Sequence, residues 1–214
     1  MRQSLKVWAE LGFSFDVVST GMILSAEQAA LVSDFCEQSA KEGALVFVDP
    51  IMGDEGKLYN GVGEETVAHM RKMVAVADCI VPNYTEAAYL ADMPYHEDMT
   101  EEEARALTIR LHEMGAKSVV VTSAKVDGEN CVVGYDGTEG EFFRIPFDLI
   151  PVRFVGTGDI FAAVMLGRLV DGVPLQESTH RAMDAVRTMI DRNRDKEDKY
   201  LGIPIETCLE VLDE

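Results

Sequence analysis

Short, wholly apolar runs alternate with helix-periodic segments along this chain, and each run stops at a polar or acidic residue. ALVFVDP (44–50) ends in Asp49, ADCIVPN (77–83) in Asn83, KSVVVTS (117–123) in Thr122-Ser123, and the strand expected over 150–155 feeds the turn GTGD. A strand without a polar face must be covered on both sides, and interleaved helices supply that cover. The pattern predicts an α/β fold, a mostly parallel sheet with helices on both faces. No internal repeat or long linker interrupts it, and 214 residues suffice for one sizeable core, so 1–214 reads as a single domain.

Helix ends are marked locally. Residues 2–11 carry Leu5, Trp8 and Leu11 on one helical face, and FDVVST (15–20) reads as a short buried strand. Ser25 with Gln28 has the spacing of a capping box, and Gly43 is a C-terminal stop. Thr100 with Glu103 caps the helix EEEARALTIRLHEMG, and further helices are expected over 64–77, from Thr85, and near 158–171, 175–193 and 204–213. CVVGYDG and EFFRIPF predict a hairpin that turns near Asp136 and Gly137.

Charge narrows the partners. With 19 Lys and Arg against 38 Asp and Glu, the net charge is −19 and no basic stripe is present, which argues against nucleic acid and anionic membranes. No run of 18 apolar residues occurs, and the first residues lack the continuous apolar core of a signal peptide. Any bound nucleotide must rely on helix termini and a divalent cation. Cys36, Cys79, Cys131 and Cys208 form no C-x-x-C pair and read as reduced, mostly buried thiols of a cytosolic protein. His69, His96, His112 and His180 show no ligand spacing.

In such sheets ligands bind at the carboxyl ends of the strands. Four polar groups from four strands are therefore expected on one rim. Within FVGTGDIFAAVMLG (154–167), Gly156 and Gly158 let the backbone approach a ligand, and the following helix offers unpaired N–H groups and a dipole that favours an anion. Asp159 is a carboxylate inside that anion site, as expected of a base that takes a proton from a hydroxyl attacking a phosphate. The competing reading makes it a helix-capping residue. Asp49, Asp54 and Glu86 can hold Mg²⁺ directly or through water, or they and Asn83 can simply end a strand and cap a helix. Thr122 and Ser123 can bond a phosphate or cap a turn, Tyr59 reads as a packing residue unless its loop folds over a nucleotide, and Lys57 reads as solvated.

DPIMGDEGKLYNG, VPNYTEAAYL, VVVTSA and FVGTGDIFAA, in that order and covering essentially the whole chain, closely resemble the pyridoxal kinases of the ribokinase-like superfamily. DVVSTGMILSAEQ resembles the stretch before that family's next helix. Asn83-x-x-Glu86 and GTGD mark the superfamily, DPIMGD with GKLY marks the vitamin B6 branch, and hydroxymethylpyrimidine kinases commonly carry cysteine in place of Asp159. The resemblance implies ATP-dependent phosphorylation of the 5′-hydroxymethyl group of pyridoxal, pyridoxine or pyridoxamine by a cytoplasmic homodimer. It implies Asp159 as general base, the amides of Gly156, Thr157 and Gly158 on the transferring phosphoryl group, and Asp49 and Glu86 around Mg²⁺. It places Asp54, Tyr59, Asn83, Glu86 and Thr122 along the nucleotide, and leaves open a monovalent cation.

Two departures qualify the match. The family normally begins well upstream of Met1 with further β-α elements that form part of the vitamin pocket. Where it often has a tyrosine that contacts the pyridine, this chain has Met22, which packs on a ring but offers no hydroxyl. The alternatives are a non-catalytic truncated paralogue that binds nucleotide or a partner chain, and a hydroxymethylpyrimidine or small-alcohol kinase.

Overall fold

A computed structural model describes residues 1–212, whose contacts fall into two compact units, Met1–Pro146 and Phe147–Glu214. The first unit runs α1 (Arg2–Glu10), β1 (Val17–Thr20), α2 (Ala26–Lys41), β2 (Leu45–Val48), β3 (Gly53–Asp54), β4 (Lys57–Leu58) and α3 (Glu64–Val74). It continues through β5 (Cys79–Ile80), α4 (Tyr84–Ala91), α5 (Glu101–Glu113), β6 (Ser118–Val126), β7 (Glu129–Asp136) and β8 (Glu141–Pro146). The second unit contains α6 (Thr157–Val170) and α7 (Leu175–Asn193).

The main sheet has the order β1-β2-β5-β6-β7-β8. Its first four strands are parallel and the last two antiparallel. Side-chain alternation explains why the strands read as apolar throughout. Val46, Val48, Ile80, Val119 and Val121 enter one core with Ala29 and Cys36 of α2, Met70 and Met73 of α3, Leu90 of α4, and Leu107 and Leu111 of α5. Phe47, Cys79, Val120 and Val132, which alternate with that set, are buried as well. Neither face of the sheet needs polar residues.

Caps appear where the residue types require them. Thr100 and Glu103 form a reciprocal capping box. Ser25 Oγ accepts the Gln28 amide at 3.2 Å, but Gln28 Oε1 accepts from the Leu24 amide at 3.0 Å, one residue upstream of the usual reciprocal bond. Gly43 follows α2 with φ +100. All four cysteines are buried and unpaired with one another.

Several expectations need correction. β1 is the sheet edge, so only Val18 of its four residues is buried. No residue of α1 is buried, and Trp8 rests beside Phe15 and Phe35 with ring centroids 5.4 and 6.3 Å away. Residues 150–155 are irregular: Val152 donates to Ile150 O at 2.7 Å, and Pro151 has no amide hydrogen for a ladder. In place of a helix over 204–213 there are 3-10 turns at Ile205–Thr207 and Leu209–Leu212; position 213 lies outside the described residues. β6 extends to Val126 and turns through Asp127 (φ +50) and Gly128 (φ +84) into β7. This hairpin carries an Asp-Gly signal, the usual sequence of a two-residue turn with both φ positive.

Candidate active site

In the first unit, β2 and β5 end level with a break in the register of β6. Asp49, just past β2, donates its amide to Thr20 O at 3.0 Å. The β5 register continues beyond the strand: Val81 donates to Val48 O at 3.0 Å, Thr122 donates to Pro82 O at 2.9 Å, and Asn83 bridges Thr122. On its other side β6 breaks register with β7 between Val121 and Ala124, and Ser123 takes φ +56. Three expected positions, Asp49, Asn83 and Thr122, thus share one rim. Bulges are common beside functional sites because they re-aim a strand.

Asn83 and Glu86 cap α4, as the simpler reading held, and do more besides. Asn83 Oδ1 accepts the Glu86 amide at 3.0 Å, and Glu86 Oε2 accepts the Asn83 amide at 2.8 Å. Glu86 Oε1 also accepts from Met52 N at 2.9 Å and Gly53 N at 3.4 Å, while Asn83 Nδ2 donates to Gly53 O at 2.8 Å. The capping pair therefore clamps the segment after Asp49 across more than thirty positions of sequence. Glu86 is only 3% exposed. Burial pushes its carboxyl up to about 7, against the amide donors, and the Asp49 charge adds to the rise.

That clamp holds the root of the β3–β4 hairpin, in which Gly53 pairs with Leu58 and Asp54 with Lys57. A Cβ on Gly53 would lie 2.5 Å from Lys57 O, so the close approach admits only glycine. The turn residues Glu55 and Gly56 both have positive φ, +52 and +77. Asp54 is half-buried and accepts the Glu55 amide at 2.9 Å. Tyr59 is exposed, with its amide on Met52 O at 3.0 Å, and Lys57 is exposed.

Among the described residues, no group of three or more His, Cys, Asp or Glu has the geometry of a metal cage. Asp49 and Glu86 nevertheless suit Mg²⁺, a hard cation that takes a few carboxylate oxygens and completes its shell with water and phosphate. A bound cation would favour the charged forms of these two carboxylates, one of which resists ionisation.

The glycine-rich turn belongs to the second unit. Phe154 and Ile160 are buried in that unit's core with Ala185, Met189 and Ile203, which leaves 155–159 at the surface between two anchors. Gly156 is the N-cap of α6 at φ +86, a conformation that strains any L side chain. The amides of Thr157, Gly158 and Asp159 follow at the start of the helix, where no intrahelical acceptor exists. Asp159 is exposed in the first turn, its Oδ2 lying 3.7 Å from where a Gly156 Cβ would be.

Two further positions bear on the rim. Met22, beyond β1, is 44% exposed. Thr20 ends β1 beside Asp49, and its buried Oγ1 has no hydrogen-bond partner among the described residues. Sequence reasoning passed over Thr20, although it closes an apolar run just as Asp49 and Asn83 do.

Residues 3–202 match the family model for phosphomethylpyrimidine kinase. The chain is 33% identical over 171 residues to the pyridoxal kinase of Arabidopsis thaliana, an alignment covering 76% of this chain and 53% of that one. It is also 33% identical over 171 residues to the pyridoxal kinase of Homo sapiens, covering 71% and 53%. The chain thus spans about half the length of the curated relatives it matches. Among solved structures, pyridoxal kinase from Lactobacillus plantarum matches with a TM-score of 0.85 at 28% identity, covering 99% of this chain and 76% of that one. A candidate phosphomethylpyrimidine kinase from Bacteroides thetaiotaomicron, crystallised with pyridoxal, matches with a TM-score of 0.93 at 32% identity, covering 100% and 76%.

Proposed function

The chain belongs to the phosphomethylpyrimidine kinase family, and we propose that it transfers the γ-phosphoryl group of ATP to the 5′-hydroxymethyl group of pyridoxal, pyridoxine or pyridoxamine. The observation that carries this reading is the grip of Glu86 on the amides of Met52 and Gly53. It joins the superfamily's N-x-x-E motif to the B6-type segment DPIMGDEGKLY in one piece of structure.

Asp159 accepts the proton of the attacking hydroxyl, so that the oxygen becomes nucleophilic as the P–O bond to the leaving diphosphate breaks. The amides of Gly156, Thr157 and Gly158 donate to the transferring phosphoryl oxygens, and the helix dipole acts in the same direction. Asp54, Tyr59, Asn83, Glu86 and Thr122 lie along the nucleotide, and Asp49 and Glu86 hold Mg²⁺ and its waters. When bound, Mg²⁺ neutralises charge on the phosphate oxygens. Met22 packs on the pyridine face. The protein acts as a cytoplasmic homodimer; four buried thiols agree with a reducing compartment.

A second reading, phosphorylation of hydroxymethylpyrimidine, is favoured by the family model's own description. The test incubates the purified chain with Mg-ATP and either pyridoxal or hydroxymethylpyrimidine, with Asp159→Asn alongside. Pyridoxal 5′-phosphate that disappears in the variant is expected. Product from the pyrimidine alone would transfer the assignment to the second reading, and no product from either would leave a nucleotide-binding protein without transfer.

A further inference from the structure

The tip of the β3–β4 hairpin is held from outside its own strand pair. Gly56 N donates to Thr85 Oγ1 at 2.8 Å, and Thr85 is buried in the first turn of α4. Above the same glycine lies the ring of Tyr95, from the loop between α4 and α5: a Cβ on Gly56 would come within 3.0 Å of its Cε1 and 3.1 Å of its Cδ1. The aromatic ring thus lies on bare backbone, a contact that glycine permits and any side chain would disturb.

Tyr95 is itself fixed. It stacks on Tyr84 with ring centroids 4.8 Å apart and an interplanar angle of 26°. Tyr84 is buried, and its hydroxyl accepts the His96 amide at 3.0 Å, which closes the loop back on α4. Root and tip of the hairpin therefore rest on successive residues of one helix start: Asn83 and Glu86 at the root, Thr85 and the Tyr84–Tyr95 stack at the tip. Asp54 lies between them, next to the turn.

We infer that Tyr95 is a positioning residue for the nucleotide-and-cation rim, its ring fixing the Glu55–Gly56 turn and, through it, the Asp54 carboxylate. The inference rests on the kinase reading above. A small displacement of a positioned group is enough to weaken binding severalfold. The atoms nearest Gly56 are Cε1, Cδ1 and Cγ of the ring, all of which phenylalanine also has.

The test compares Tyr95→Ala, Tyr95→Phe and Gly56→Ala by steady-state kinetics, ADP binding and amide hydrogen exchange over 53–58. Tyr95→Ala is expected to raise KM for Mg-ATP and Kd for ADP about tenfold, with kcat and KM for pyridoxal within about twofold. Exchange at the hairpin rises in the same variant, Gly56→Ala reproduces both effects, and Tyr95→Phe behaves as wild type. A merely structural tyrosine would lower thermal stability without separating the two KM values, and that result overturns the inference. So does a Tyr95→Phe variant as impaired as Tyr95→Ala. Unchanged ADP binding in Tyr95→Ala, in a wild type that makes pyridoxal 5′-phosphate, sinks the inference and leaves the kinase reading standing. A wild type that makes no product while Tyr95→Ala loses ADP tenfold does the reverse, and one that binds no ADP overturns both.

Discussion

The strand-end rim of the first unit and the glycine-rich turn of the second both present polar groups at the start of a helix, yet they are built in opposite ways. At the rim the polar side chains are committed: Glu86 is buried and accepts three amides, and Asn83 accepts one amide and donates to Gly53. At the turn the backbone is committed, with Gly156 left-handed between the buried Phe154 and Ile160, while Asp159 stands exposed. A carboxylate that accepts several fixed amides organises its surroundings, whereas an exposed one on a rigid turn is available to take a proton. The motifs look alike in sequence because both are short acidic signatures; burial separates their roles.

The strongest challenge to that contrast is Asp159→Asn. It is expected to lower kcat by ~10²–10⁴-fold, with the melting temperature unchanged within about 2 °C, as for loss of a general base at a surface position. A large stability loss in this variant would break the comparison. Next comes Gly53→Ala. A Cβ 2.5 Å from the Lys57 carbonyl forces the hairpin open, and overpacking of this kind costs about 1–3 kcal/mol, read by denaturant unfolding.

Glu86→Gln sharpens the contrast from the other side. An amide nitrogen in place of Oε2 cannot accept from Asn83, and the buried N–H left without a partner costs about 1–3 kcal/mol. The pH dependence identifies the group. The folded-state carboxyl is raised from 4.5 to about 7, so its protonation stabilises the fold fully below pH 4.5, and that contribution is lost as pH rises through about 7. The stability difference between wild type and Glu86→Gln is expected to shrink across this window, as followed by thermal melts from pH 4.5 to 8; a difference independent of pH would show that Glu86 is ionised throughout. The smallest effect concerns the cation. If Asp49 and Glu86 hold Mg²⁺ as proposed, its binding is expected to displace a proton in the same window, with affinity rising by at most about tenfold per pH unit below pH 7 and proton release measurable by calorimetry in two buffers.

The parallel sheet was readable because its strands are buried on both faces and its helix caps use side chains with few other uses at those positions. Asn83 and Glu86 were readable for the same reason, since a capping box is a local pattern. What Glu86 reaches was not: Met52 lies thirty-four residues away, and no spacing rule links them. Tyr95 was hidden likewise, because a ring lying on a glycine thirty-nine positions earlier leaves no periodic trace. The strand expected over 150–155 rests on its apolar residues and its place before the GTGD turn. Pro151 and the Val152-to-Ile150 bond show how such a run can serve as an anchor for Phe154 without joining a ladder. The Asp127-Gly128 turn, by contrast, carries a local signal, since both residues take the positive φ that a two-residue hairpin turn requires.

The irregularity in β6 has a consequence for how one strand serves two neighbours. Val119 and Val121 enter the core two positions apart, and so do Ala124 and Val126, but the step from Val121 to Ala124 is three. A straight strand would carry Ala124 and Val126 to the opposite side. The extra residue resets the pleat, so the half of β6 that pairs with β5 and the half beyond the rim turn apolar groups the same way. Deleting either Thr122 or Ser123 would therefore act on this strand as striking out a doubled letter acts on a word: the step from Val121 to Ala124 would match that from Val133 to Cys131 on β7, the same residues would face the core, and only the bend at the rim would be lost.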